Sequence, residues 1–434
     1  MKKYIFAFIT ILYSSMHAQS IHTGYHSNAF ILKSASNPAS IPESNFVFGV
    51  SGLSNISVGL QSPLSFNEVF QKGQDDSLRV HFPSIVSSLD DQDAFSFGGR
   101  TNLLNLGFRV GYDKNFFIYF GDEVVVDVNA KISSDIFEYL TKGNAAFLDR
   151  QMNFDKERID AISYNSLYLG SAVQVSDELS LGLRLKYLSG ISSIHTEKLL
   201  LGFHTDSEFY QTTLTADLLI RSSGLDLDAI EFDPTSNNGF ALDVGAIYQA
   251  TDELELSFAL TDVGSINWAA ENNEYHTTDG EKTFLFEGLT QSSGQVEDLE
   301  KQMEDIADSL ANTMEVNTVN DVSYTTNLNS NLIVSGKYQL TDKHGFSLLF
   351  HSKKLPESRI NTYAVGYQFQ LAKSFEILAS YKNFNGISNI GGGFVWSPGP
   401  IQWHMLAENL VLDVFDLKNV ALHFGLSLNF GRDR

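Results

Sequence analysis

The feature that most constrains this chain is a period-two alternation that returns in segments of about ten residues. At 103–112, Leu104, Leu106, Phe108, Val110 and Tyr112 share one face, and Asn105, Gly107, Arg109 and Gly111 share the other. At 179–188, Leu179, Leu181, Leu183, Leu185 and Tyr187 oppose Ser180, Gly182, Arg184 and Lys186. At 363–371, Tyr363, Val365, Tyr367, Phe369 and Leu371 oppose Ala364, Gly366, Gln368 and Gln370, and 420–430 repeats the pattern from Val420 to Phe430. A helix cannot sustain a period of two, so the chain is built from strands with two unlike faces. Weaker copies fall near 46–60, 116–128, 162–175, 209–221, 240–249, 253–264, 331–340, 344–352, 374–383, 388–396 and 400–408.

The second face decides what the strands enclose. In a soluble sandwich it is solvated. Here it is mostly Gly, Ser, Asn and Gln with scattered charges, which suits a crowded wet lumen, while the large apolar face suits lipid. Tyr112, Tyr187, Tyr248, Tyr338, Tyr363 and Tyr381 stand at strand ends, as do Trp268, Trp396 and Trp403. These positions fit interfacial girdles. Short connections at 113–115, 176–178, 251–253, 341–343, 372–374 and 397–400 alternate with long ones near 61–102, 130–161, 191–239 and 269–328. Tight periplasmic turns and long outer loops produce that alternation. The expected fold is therefore an all-β transmembrane antiparallel β-barrel spanning 46–430, with about 14 strands, or 16 if 196–204 and 209–221 both span the membrane.

Composition narrows the classes further. The 434 residues include no cysteine, 8 prolines and 33 phenylalanines, and the net charge is -23. Without cysteine there is no disulfide, thiol nucleophile or lipobox. The acidic excess argues against nucleic acid as a partner. Lys2 and Lys3, the largely apolar run Tyr4–Tyr13 and a small-residue exit read as a signal peptide over 1–18, cleaved near Ala18/Gln19. The run is too short to span a bilayer, and nowhere are 18 consecutive apolar residues found. One segment breaks the alternation: Val296, Leu299, Met303, Ile306 and Leu310 predict an amphipathic helix over 292–316 in a long outer loop. A shorter helix is expected at 135–142.

No catalytic constellation emerges. The 11 histidines are scattered, and the metalloprotease, nucleophile-elbow and phosphate-loop motifs are missing. Acidic runs at Asp90, Asp91 and Asp93 and at Asp226, Asp228, Glu231 and Asp233 read as solvated loops. The expectation is no enzyme activity, no cofactor and no metal. From the alternation, the candidate lumen-facing charges are Arg109, Arg184, Lys186, Asp217, Arg221, Asp243, Glu255, Glu376 and Lys382. Their mixed signs favour pairing across the lumen, in which they would hold a plug.

The chain resembles an uncharacterised family of outer-membrane barrels from Bacteroidetes. The residues that carry the resemblance are Asn37, Pro38 and Ala39 ahead of the 46–60 strand, Leu260–Gly264 before Ile266, Asn267 and Trp268, Gly399–Gln402, and the closing Gly425–Phe430. Asn37-Pro38-Ala39 and the Asp262-Val263-Gly264…Trp268 piece are also similar to features of the long-chain fatty-acid transporter superfamily, which includes a barrel associated with type IX secretion. That resemblance implies 14 strands and an N-terminal plug segment, here 19–45. It implies an outer-membrane location in a Gram-negative bacterium, contact with outer-membrane lipid, and transport or channel-like passage of a small hydrophobic solute. The alternative is a non-transporting scaffold for secretion or surface protein partners.

Overall fold

In the computed structural model the described residues are 22–431 apart from 73–77, 90–93, 112–114, 209, 226–232, 278–315, 357, 385–386 and 411–417. The wall strands are β1 in two pieces (Phe46–Gly49 and Ile56–Gln61), β2 (Phe95–Val110), β3 (Phe116–Lys131), β4 (Arg158–Gln174), β5 (Leu179–Thr205), β6 (Asn238–Gln249) and β7 (Leu254–Trp268). They continue with β8 (Asn331–Thr341), β9 (His344–Lys354), β10 (Arg359–Ala372), β11 (Phe375–Phe384), β12 (Ile387–Trp396), β13 (Ile401–Ala407) and β14 (Asn419–Phe430). Each strand pairs antiparallel with the next. The Phe46↔Phe430 pairing of β1 with β14 closes the ring at 14 strands. Closure joins the first strand to the last, which is what lets a sheet cross a bilayer.

The count is 14 because the alternating residues beyond Ile194 belong to a strand that outgrows the wall. The 27-residue β5 pairs with β6 along its inner half. Its outer half pairs with Thr212–Ser223, which in turn pairs with Asn272–Thr277. That outer sheet packs Phe147, Met152, Phe154, Leu201 and Phe203 against Tyr139 of a helix at Ser134–Lys142, the helix expected at 135–142. The expected signal peptide, residues 292–315 of the expected amphipathic helix, Tyr112, and the acidic residues Asp90, Asp91, Asp93, Asp226, Asp228 and Glu231 lie outside the described residues. Val316, the last residue of that expected helix, instead begins the strand Val316–Asn320.

Outward side chains form the apolar band. Tyr248, Tyr338, Tyr363, Tyr381, Trp396 and Trp403 are exposed, as the girdle reading requires. Trp268 corrects that reading: it is fully buried, its indole donating to Thr326 Oγ1 at 2.8 Å. The pairing of β6 with β7 shifts register beside Asp262, whose φ is 58°, and that bulge turns Trp268 from the lipid face to the lumen.

The lumen is filled by the N-terminal segment. Residues 22–45 are mostly buried and carry a short helix, α1 (Phe30–Ser36). Phe30 and Ile31 pack on Phe117, Tyr119 and Tyr168, while Ala29 and Leu32 pack on Leu378, Val395 and Leu406. The helix thus bridges opposite sides of the wall. Burying each of these large side chains is worth about 1.5–3 kcal/mol.

Candidate functional site

The site is built where the alternation turns polar side chains inward. Arg184 and Lys186 on β5, Asp243 on β6 and Asp262 on β7 meet Arg100 on β2 and Glu123 on β3. Arg184 Nε donates to Asp243 Oδ2 at 2.5 Å, and Lys186 Nζ lies 3.0 Å from the same oxygen while also binding Asp262. Arg100 lies 3.4 Å from Glu123 and 3.5 Å from Asp262. Three cations thus face three carboxylates with little access to water, an arrangement that is tolerable only because every charge is paired. Arg184 also donates to the carbonyls of Ser34 at 3.0 Å and Ala35 at 3.2 Å. A cation at the C-terminal end of α1 meets the negative end of its dipole.

A second group ties down the start of the segment. Glu408 accepts from Lys382 at 3.0 Å, and from the Thr23 amide and hydroxyl at 2.9 Å each. Glu376 accepts from the Asn28 amide at 2.9 Å, and His26 stands 3.4 Å from Glu255. Arg109 holds the carbonyls of Pro42 and Ser44. Asn37 donates to Ser257 Oγ at 2.9 Å, accepts from the Ala39 amide at 2.9 Å, and precedes a Pro38 carbonyl bound by the Tyr119 hydroxyl. At Gly182 an added Cβ would overlap Pro38, and at Gly245 it would overlap Asn37. The bare wall there is what lets the Asn37-Pro38-Ala39 turn lie flat against it.

Of the nine charges expected in the lumen, Arg109, Arg184, Lys186, Asp243, Glu255 and Glu376 therefore contact the segment or one another there, and Lys382 reaches it through Glu408. Asp217 and Arg221 do not. They sit on the outer sheet, where Asp217 is exposed beside Lys198 and Arg221 binds Glu197 and Glu274. Sequence reasoning missed Arg100, Glu123 and Asp262. A bulge between Asn102 and Leu104, just after Arg100, switches faces, and the outward Asp122 beside Glu123 blurs the alternation.

Cavities run above the segment. An outer vestibule of about 330 Å³ is bordered by Asp160, Ile162, Ile194, Leu328 and Leu355. Below it lie a cavity of about 100 Å³ reaching Ala35, Ser36 and Arg100, and one of about 60 Å³ reaching His22, Gly59, Gly98 and Ile360. Asp127 borders all three. The hydrogen-bond ladder of the wall, though not the proximity of its strands, breaks off beside the smallest. The pairing of β1 with β2 ends where the Asn102 amide donates to Asn55 at 3.1 Å. Among the described residues, the Ile56–Gln61 piece continues in a ladder with β14 alone. The resulting seam between Ile56–Gln61 and the first part of β2 is flanked by Gly59, Gly98 and Gly99, and a Cβ at Gly99 would meet open space.

A family model described as "Family of unknown function (DUF5723)" matches residues 38–408. The chain belongs to the DUF5723 family. No curated protein matches the sequence. In solved structures, this DUF5723 chain is similar to the Ralstonia pickettii toluene transporter TbuX, with 10% identity, 96% of this chain and 97% of that chain covered, and a TM-score of 0.45. It is similar to a Pseudomonas aeruginosa FadL homologue, with 12% identity, coverages of 96% and 100%, and a TM-score of 0.45. It is also similar to the Pseudomonas putida toluene transporter TodX, with 9% identity, coverages of 95% and 94%, and a TM-score of 0.42.

Proposed function

We propose that this DUF5723 protein is an outer-membrane conduit for small hydrophobic solutes, entered at the outer vestibule and left through the seam between Ile56–Gln61 and β2. The observation that carries the reading is the approach of the vestibule to that seam. Ile162, Ile194, Leu328 and Leu355 offer apolar contacts at the mouth. Leu355 and Ile360 continue them into the inner cavity at Gly59 and Gly98. The axial route is closed to such a solute by residues 22–45, the plug, and by the buried charges of Arg184, Lys186, Asp243 and Asp262. An apolar molecule gains nothing by displacing paired charges, whereas a sideways exit delivers it to hydrocarbon.

The test uses whole cells whose lipopolysaccharide excludes the dye 1-N-phenylnaphthylamine. Expression of the full chain should speed dye uptake. Uptake no faster than in cells without the protein counts against the reading.

A specific observation favours a second reading. Phe66, Leu78, Val80 and Phe82 in the first outer loop are exposed. A clustered apolar outer surface suits docking of a secretion or surface protein. Purification from membranes with and without Asp substituted at Leu78 and Val80 separates the readings: a scaffold loses a partner and a conduit keeps its uptake.

A further inference from the structure

We propose that the Asp127–Lys353 ion pair is the charge filter of the lumen, barring ions from the inner cavities while letting uncharged solutes by. The inference rests on the conduit reading and adds to it the charge state of the solute.

Asp127 belongs to β3 and Lys353 to β9, strands on opposite sides of the ring. Both follow the inward alternation, and Lys353 Nζ stands 3.2 Å from Asp127 Oδ2 across the lumen. The pair lies where the cavities meet. Asp127 borders the vestibule and both inner cavities, and Lys353 borders both inner cavities. A solute moving inward from the vestibule therefore passes this crossbar. Their side chains are 16% and 22% exposed, so water reaches the bridge without dissolving it. Such a bridge holds at modest strength and opens at modest cost.

The electrostatics then select. A cation drawn to Asp127 must displace Lys353 and remain beside it, and an anion drawn to Lys353 meets Asp127 in the same way. Each ion breaks one favourable contact and gains one repulsive contact in a narrow space of reduced dielectric. Around the inner cavities the neighbouring charges are themselves paired: at the smaller one Lys382 is held by Glu408. Arg100 and Asp262 border the larger inner cavity as an already paired couple, and Asn129 contributes only a carboxamide beside Asp127. An uncharged molecule needs only that the two side chains swing apart, and they re-form behind it.

The test reconstitutes the full-length chain in planar bilayers under a KCl gradient, in parallel with dye uptake by cells. The wild type should pass little ionic current. Lys353→Met should raise the current and move the reversal potential toward the potassium value, because Asp127 is left alone. Asp127→Asn should raise it and move the potential toward the chloride value. The exchange Asp127→Lys with Lys353→Asp should return the current to the wild-type level. Heat-modifiable gel mobility verifies folding of each variant, and Lys353→Gln replaces Lys353→Met if that variant fails to insert. Identical current and selectivity in all variants, with wild-type dye uptake intact, overturns the filter and leaves the conduit standing. Absence of both dye uptake and variant current overturns both.

Discussion

The Asn37 carboxamide donates to the Ser257 hydroxyl at 2.9 Å, joining the turn that follows α1 to the inner face of β7. The same nitrogen reaches the Tyr25 hydroxyl at 3.3 Å and the Phe258 carbonyl at 3.2 Å, so one buried side chain ties two stretches of the N-terminal segment to the wall. Asn37→Ala removes these ties and strips the buried Ala39 amide of its acceptor, at a cost of about 1–3 kcal/mol. The expected outcome is faster proteolysis within residues 22–45 while the barrel keeps its heat-modifiable mobility. Unchanged cleavage kinetics would show that the turn is not an anchor.

Gly182 tests the fit of the same turn from the other side. A valine there adds atoms where the Pro38 carbonyl lies, and the wall backbone cannot retreat without breaking its ladders to β4 and β6. The segment must move instead. Gly182→Val should therefore free residues 22–45 for hydrogen exchange without loss of the barrel. Protection equal to that of the wild type would contradict the contact.

Arg184 joins Asp243 to the end of α1. Arg184→Met removes the donor to the Ser34 and Ala35 carbonyls and leaves a fully buried Asp243 with Lys186 as its remaining cation. Breaking one partner of a buried pair costs about 3–5 kcal/mol, so thermal unfolding in detergent should drop sharply. A variant as stable as the wild type would show that the six-charge group carries no structural role.

The outer loops should respond to acid through Glu68. Burial pushes the Glu68 carboxyl up, but hydrogen bonds from Lys418 at 2.8 Å and from the Ser65 amide at 2.7 Å outweigh it and hold the group below its ordinary value. A depressed carboxyl contributes stability that is present above its unfolded value and is lost as pH falls through the folded one. Exchange protection around Ser65–Val69 should therefore fall as pH drops below the ordinary glutamate range. Glu68→Gln should remove that dependence, and an unaltered pH profile in the variant would exclude Glu68 as its origin.

Much of this was legible in the chain because alternation reports a sheet with two faces. The wall strands, the short turns and seven of the nine proposed lumen charges follow from it. Alternation does not report lipid, which is why 209–221 could not be told from a membrane strand: Thr212–Ser223 is two-faced because Leu214 and Ala216 turn to one side, against Leu201 and Phe203 of the neighbouring strand. Nor does it survive a bulge. The irregularities at Asn102–Leu104 and beside Asp262 exchange the faces, hiding Arg100 and Asp262 and making Trp268 look interfacial. The Asp127–Lys353 bridge was out of reach for another reason. It joins residues 226 positions apart, and only closure of the ring brings them together.

The central claim is passage through the seam, and the chain's lack of cysteine allows a clean test. Gly59→Cys with Gly98→Cys places two thiols on the same small cavity, where a short bis-maleimide can bridge them. Dye uptake should match the wild type before bridging and stop once gel analysis shows the bridge complete, with either single variant unaffected by the reagent. Uptake that continues undiminished through a fully bridged seam would contradict the account.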